Sequence, residues 1–172
     1  MCNCKENKNL TIKILKIDPN LPDLEKIKIG NWIDLRVSFI IDVENKKQIN
    51  WLYDDVNKIN YVYLEKNIHY LMKLGFACKL PDGYEGRILP RSSTFKNWGI
   101  LLTNSMGIID NSYSGNSDEY ITSFFSTKEV KIVQYERIVQ FRIEKIMPEI
   151  NIEYVTFLDD KNRNGFGSTG KN

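Results

Sequence analysis

The chain has 172 residues, 42% of them hydrophobic and 27% charged, with a formal net charge of +2. That length and balance fit one globular domain able to bury its own core, and they exclude a disordered chain. A charge so near neutrality excludes a strong field for nucleic acid or membrane, and no apolar run is long enough to cross a bilayer.

The elements read as strands almost from end to end. Ile12, Ile14 and, after a slip, Ile17 alternate with polar residues, and Arg36 to Val43 is a dense β-branched and aromatic run. His69 to Leu80 and Tyr84 to Leu89 follow, separated by a Pro81-Asp82-Gly83 turn. Trp98 to Thr103, Tyr120 to Phe125, Val130 to Tyr135 and Ile138 to Ile143 complete the series. Many short strands punctuated by Gly, Asn, Asp and Pro predict an all-β sandwich, barrel or jelly roll. One helical turn is predicted over Ser93–Asn97 from a serine cap, and a second short helix within residues 50–60. The stretch 44–66, rich in Asn, Lys and Asp, reads as an insertion in a single domain spanning 1–158. Residues 159–172 are polar and glycine-containing, and read as a flexible tail.

Met1 to Asn9 lacks the apolar core of a signal peptide, so a cytoplasmic location is expected. Cys2, Cys4 and Cys78 make an odd number, which argues against a disulfide framework. With the single histidine, His69, they match no standard zinc spacing, and Cys78 in its apolar surroundings is expected to be a core thiol. A Ser-His-Asp or Cys-His hydrolase would need His69 itself, and no nucleophile motif points to it.

Five short segments carry candidate chemistry. Asp34-Leu35 sets one acid beside apolar residues, a pattern that also fits a simple strand cap. In Pro90-Arg91-Ser92-Ser93-Thr94 a proline ends a strand, and an arginine fork and hydroxyls suited to phosphate arrive at a helix start. A serine-capped turn with an exposed arginine explains the same residues. Asn104 to Gly115 reads as a β-hairpin turning at Asp110, able to offer backbone groups to a base edge. In it Asp110 could act as a general base and Tyr113 could present its ring to a sugar, while an Asx turn with a packed tyrosine is the plainer account. In Arg137-Ile138-Val139-Gln140-Phe141, alternation puts Arg137 and Val139 on one face and Ile138 and Gln140 on the other. In Arg163-Asn164-Gly165-Phe166-Gly167-Ser168-Thr169-Gly170, glycines permit close backbone approach and hydroxyls suit an anion. This last segment is not a Walker A loop, since no Gly-Lys-Ser/Thr and no helix follow.

Together, Pro-Arg-Ser-Ser, Gly-Ile-Ile-Asp-x-x-Tyr, Arg-Ile-Val-Gln and the terminal Gly-Phe-Gly-Ser-Thr-Gly resemble the ordered motifs of the trimeric dUTPase family, from about Gly30 to Gly170. The resemblance implies a β-clip, or distorted jelly roll, with a flexible C-terminal active-site tail. It implies hydrolysis of dUTP to dUMP and pyrophosphate with Mg2+, in a homotrimer with shared active sites. Asp110 then corresponds to the acid that orients and deprotonates the attacking water, and Tyr113 to the ring packed on the deoxyribose. Asn104 and the hairpin backbone at Gly107 and Ile109 would read uracil. Arg91, Ser92 and Gln140, with Ser93 beside them, would contact phosphates, and Asp34 would sit near the magnesium, acting through its waters. Arg163, Phe166, Gly167, Ser168 and Thr169 would form the closing tail, Phe166 over the uracil and the others toward the γ-phosphate.

There are departures from the family pattern. Ser114-Gly115-Asn116 stands where Arg or Lys, Gly and an acid are usual, and Tyr135-Glu136 where Gly-Asp is usual. The first motif has a bulkier lead-in, and the fifth is shortened. These features look like the branch carried by phages and prophages. Two other readings stand beside this one: a dCTP deaminase-like enzyme of the same fold, and a module on this scaffold that binds a regulatory protein. The deaminase needs a base at cytosine C4, typically a glutamate, where this hairpin carries an aspartate.

Overall fold

Residues with positive φ divide this chain into short strands. Lys46, Lys58, Asn67, Ser105 and Tyr135 all take φ between 51° and 64°, and each sits in a turn or connection between strands. The computed structural model of the chain describes residues 10–158. In chain order the strands are β1 (Lys13–Lys16), β2 (Ile33–Arg36), β3 (Phe39–Asp42), β4 (Lys47–Gln48), β5 (Leu52–Asp54), β6 (Ile59–Leu64), β7 (His69–Lys73), β8 (Phe76–Lys79) and β9 (Tyr84–Pro90). After α1 (Thr94–Trp98), the single helix among the described residues, come β10 (Ile100–Leu102), β11 (Gly107–Ile109), β12 (Ile121–Ser126), β13 (Val130–Val133) and β14 (Arg137–Lys145). The fold is all-β, as the alternation predicts, and no helix among the described residues is long and apolar enough to cross a membrane.

Every strand pair is antiparallel, and the strands fall into small sheets ordered β10-β12-β7-β3-β4, β11-β9-β14-β2, β13-β6-β5 and β1-β8. Their inward faces supply one core, in which Leu35, Ile40, Leu64, Met72, Phe76, Ile88, Phe124, Ile132 and Phe141 are all buried. Period two is plain in β7, where Tyr70 and Met72 point in, and in β12, where Thr122, Phe124 and Ser126 do. Cys78 belongs to this core, and burial pushes its thiol pKa up, which makes it a packing residue. Cys2 and Cys4 lie outside the described residues.

Three expectations need correction. Residues 50–60 form no helix but the β5–β6 hairpin. Asp54 accepts hydrogen bonds from the N–H groups of Val56 and Asn57 and from the Asn57 amide, and Lys58 closes the loop at φ 55°. Asp42, Asn45 and Lys46 close the β3–β4 loop in the same way. Such side-chain-to-backbone bonds favour turns over helix. Within the stretch 44–66, β6 pairs with β13 and buries Val62 and Leu64, so this part is a wall of the core. The third correction concerns β14. Its register against β2 shifts between Arg137 and Val139, a bulge that buries Ile138 and Val139 together and breaks simple alternation.

Candidate active site

The bulge at Ile138 organises the segment after β9. Its carbonyl accepts from the hydroxyl of Thr94, and the neighbouring Arg137 carbonyl accepts from Arg91 Nη1 at 2.8 Å. The Thr94 hydroxyl in turn accepts from the Arg91 backbone N–H at 2.9 Å. Thr94, the first residue of α1, thus ties the helix start back to Arg91 and across to β14, and the expected serine cap does not form. Ser93 stands at the N-cap position but makes no side-chain capping bond, and Ser92 is exposed. Both serine hydroxyls are left for a ligand.

Asp34 and Gln140 face each other across β2 and β14. The Asp34 carboxylate is only 6% exposed and lies 3.0 Å from Arg91 Nε and 3.3 Å from Arg137 Nη1. Gln140 is half-buried and donates to the Pro90 carbonyl at 2.9 Å, which steadies the residue before Arg91. Arg36 and Arg137 share with Asp34 one wall of a cleft of about 450 Å³, which Lys26 and Lys28 also line. Asp23 and Glu25 line the cleft as well, so four basic side chains face three carboxylates there, and Arg91 adds a further positive charge against Asp34. The small positive excess suits a polyphosphate. Arg137 and Thr94 stand in two of the five segments read from the sequence but carry no role of their own there. What reveals them is a pairing between β2, β9 and β14 that local pattern does not contain.

Asp34 is too closely held by arginine to be read as the core of a metal cage. Among the described residues no group of three or more His, Cys, Asp or Glu side chains is placed to hold a metal ion. A lone carboxylate fits only an ion whose shell comes mostly from ligand oxygens and water, which is the habit of magnesium bound with phosphates.

The segment 104–115 was expected to be a hairpin. Its two flanking strands instead belong to different sheets: β11 pairs with β9, and β12 with β10 and β7. β11 is an edge strand, so one side of its backbone is free to meet a flat base edge. A Cβ built on Gly107 would lie in ordinary contact, 3.4 Å from the Ile88 Cβ and 3.9 Å from the Asn104 amide nitrogen. Asn104 therefore lies close beside the start of β11, and it is exposed. Asp110 follows Ile109 at the far end, also exposed, and its carbonyl accepts from the Tyr113 N–H at 3.0 Å. Tyr113 is 40% exposed and donates its hydroxyl to the Glu119 carbonyl at 3.0 Å. Asn111 ties this turn to the start of β9 by donating to the Pro81 carbonyl at 2.7 Å.

These residues fall into two groups that do not meet within one chain. Ile109 is level with Gly86, so Asp110 is level with Glu85 near the start of β9, while Arg91 follows its end. Six residues of strand separate the two levels, roughly 20 Å at about 3.3 Å per residue. Arg163, Phe166, Gly167, Ser168 and Thr169 lie outside the described residues.

A model of the dUTPase family matches residues 54–170 of this sequence. The SPbeta prophage-derived deoxyuridine 5'-triphosphate nucleotidohydrolase YosS of Bacillus subtilis (strain 168) is 38% identical over 161 residues, covering 94% of this chain and 99% of that protein. The deoxyuridine 5'-triphosphate nucleotidohydrolase of fowlpox virus (strain NVSL) is 36% identical over 122 residues, 69% of this chain and 81% of that one. Among solved structures, a mutant dUTPase of Staphylococcus bacteriophage 80alpha with dUpNHpp superposes with a TM-score of 0.64 at 18% identity, covering 93% of this chain and 98% of that one. A mutant dUTPase from phage phi11 of S. aureus, described with a structural Mg(II) ion, gives 0.63 at 14% identity over 87% of this chain and 99% of that one. At such identities the two structures speak for the fold alone. The family match covers β6 through the terminal glycine-rich segment, and the prophage relative covers nearly the whole length, so this chain belongs to the dUTPase family, in its divergent phage-like branch.

Proposed function

We propose that the chain hydrolyses dUTP to dUMP and pyrophosphate at a site assembled between subunits of a homotrimer. The observation that carries the shared site is the separation of Asp110 from Arg91 along β9, about six residues or roughly 20 Å of strand, which sets them at opposite ends of it. Residues 146–158 support assembly, because Met147, Ile152, Tyr154, Phe157 and Leu158 are each more than 70% exposed. Apolar surface of that extent marks an interaction site. Cyclic symmetry would give three equivalent sites, each pairing the Arg91 end of one chain with the Asp110 turn of another.

In this reading Arg91, Ser92, Ser93 and Arg137 bind the phosphates, and Asp34 and Gln140 hold Arg91 and Pro90 in place. Asp110 takes a proton from the water that attacks the α-phosphorus; the new P–O bond forms as the bond to pyrophosphate breaks. Asn104 and the free edge of β11 at Gly107 and Ile109 read the uracil, and Tyr113 lies against the deoxyribose. Arg163, Phe166, Gly167, Ser168 and Thr169 would close over the bound nucleotide and exclude water. A magnesium ion held by phosphate oxygens, with Asp34 nearby through water, would neutralise charge on the triphosphate. Cytoplasmic location is part of the same reading, since the substrate is a free nucleotide.

The test is pyrophosphate release from dUTP, UTP and dCTP, with ammonia measured alongside. Strong preference for dUTP is expected. A ring against C2′ penalises the 2′-hydroxyl, and base-edge groups matched to uracil are left unpaired by cytosine. Comparable kcat/KM on all three would defeat the reading of Tyr113 and Asn104, and ammonia from dCTP would favour the deaminase. A protein partner is a second role within this reading, supported by the exposed Leu52, Tyr53, Val56 and Tyr63 of the β5–β6 hairpin.

A further inference from the structure

Tyr113 reaches the proposed sugar position from a turn, not from a strand, and its ring is 40% exposed. Packing does little to fix it: the Tyr120 ring lies 6.3 Å away, toward the outer limit of aromatic contact. Its direction is set by the hydrogen bond from its hydroxyl to the Glu119 carbonyl, at 3.0 Å. What fixes that carbonyl therefore fixes the ring.

Glu119 is itself clamped. Its side chain is 8% exposed; one carboxylate oxygen lies 2.6 Å from Lys73 Nζ and the other accepts from the Gly75 N–H at 3.0 Å. Gly75 has φ 75°, and a Cβ there would lie 2.9 Å from the Ser38 Cβ. Only glycine holds this conformation freely, and it aims the N–H at Glu119. Lys73 ends β7, between Phe39 of β3 and Ile121 of β12. The next residue continues the attachment: the Tyr120 N–H donates to the Phe76 carbonyl at 2.8 Å, and the Leu74 N–H donates to the Tyr120 carbonyl at 3.0 Å. The far end of the 110–119 turn is thus riveted to the five-stranded sheet at the residue whose carbonyl receives Tyr113. Ser114 and Asn116, nearer the tip, carry no charge with which to brace it.

We propose that Glu119, anchored by Lys73 and the Gly75 N–H, is a positioning residue for discrimination between deoxyribose and ribose, acting through its own carbonyl on the hydroxyl of Tyr113. The proposal rests on the reading that Tyr113 packs against the deoxyribose. Buried ion pairs contribute little net stability relative to apolar packing, so the consequence of this one is sought in geometry. A ring free to swing away would admit the 2′-hydroxyl, and UTP use would rise relative to dUTP.

The experiment measures the dUTP-to-UTP ratio of kcat/KM by pyrophosphate release for Tyr113→Ala, Tyr113→Phe, Glu119→Ala, Glu119→Gln and the Tyr113→Phe/Glu119→Ala double variant, with Tm for each. The ratio does not depend on how much enzyme is folded, so a purely structural role would leave it unchanged. Tyr113→Ala should lower it tenfold or more. Tyr113→Phe and Glu119→Ala should each lower it about twofold to tenfold, the range of one net hydrogen bond. Glu119→Gln, which keeps an acceptor for the Gly75 N–H, should recover part of the loss. The double variant should be no worse than the poorer single one, since both break the same link. An unchanged ratio in Tyr113→Ala means that the sugar reading has failed and the proposal with it. A reduced ratio in Tyr113→Ala, with no change in Tyr113→Phe or in Glu119→Ala, leaves the sugar reading standing and overturns the proposal. Should Glu119→Ala not fold, Lys73→Met, which removes the clamp and keeps the Glu119 side chain, takes its place beside Tyr113→Phe, and an unchanged ratio in either one overturns the proposal.

Discussion

Replacing Asp34 with asparagine separates its structural from its chemical contribution. The carboxylate sits 3.0 Å from Arg91 Nε and 3.3 Å from Arg137 Nη1. Two unit charges about 3 Å apart attract by roughly 5 kcal/mol at an effective dielectric of about 20. Little of that appears as stability, because desolvating the carboxylate costs several kcal/mol. The Arg91 and Arg137 side chains, 26% and 49% exposed, also regain water when their partner is neutralised. The net loss for Asp34→Asn is about 1–2 kcal/mol, and Tm should fall by about 2–8 °C. The rate should suffer more. Arg91 keeps its bond to the Arg137 carbonyl but loses the contact that fixes its Nε side, and a phosphate contact displaced by about 1 Å costs about a hundredfold. Calorimetry and pyrophosphate release from dUTP measure the two effects. A variant with wild-type kcat/KM would refute the claim that Asp34 orients Arg91, whatever its Tm.

Asp110→Asn should lower kcat by about 10²–10⁴ while nucleotide binding, followed by calorimetric titration, stays near wild type; retained turnover would remove Asp110 from the role of base. Within the stretch 44–66, Leu64→Ala should cost about 2–5 kcal/mol in urea unfolding, because Leu64 is 1% exposed in the core. Tyr53→Ala, at a 56% exposed position, should stay within about 0.5 kcal/mol and leave turnover intact.

Much of the fold is legible in the sequence because period-two burial is a local property. The alternation in His69–Lys73 and Ile121–Ser126 is that of β7 and β12, and the helix predicted over Ser93–Asn97 is displaced by one residue. The β5–β6 turn was read as a short helix, although Asp54 and Asn57 repeat the spacing of Asp42 and Asn45, with a lysine next in each case. Weak alternation around Trp51 and Tyr53 hides it. Tyr135 shows local preference giving way to tertiary contact. It takes φ 62° where glycine would be unstrained, and its hydroxyl donates to Asp18 at 2.9 Å while its carbonyl accepts from Arg36. The site was legible only as residue types. That Asp34 grips Arg91 and that the bulge at Ile138 holds Thr94 depend on partners 57 and 44 positions away, brought together by sheet pairing, and that Glu119 receives Tyr113 depends on how the turn between β11 and β12 folds back on itself.

The shared site is tested most directly by mixing two inactive chains. One carries Arg91→Ala with Asp110 intact, the other Asp110→Asn with Arg91 intact, and each alone should be nearly dead. Co-folded in equal amounts with random assembly, about a quarter of the sites should draw a good Arg91 from one chain and a good Asp110 from its neighbour, and dUTP turnover should return to about that fraction of wild type. Verified mixed trimers that remain as inactive as their parents would place Arg91 and Asp110 in the same chain's site and contradict the account.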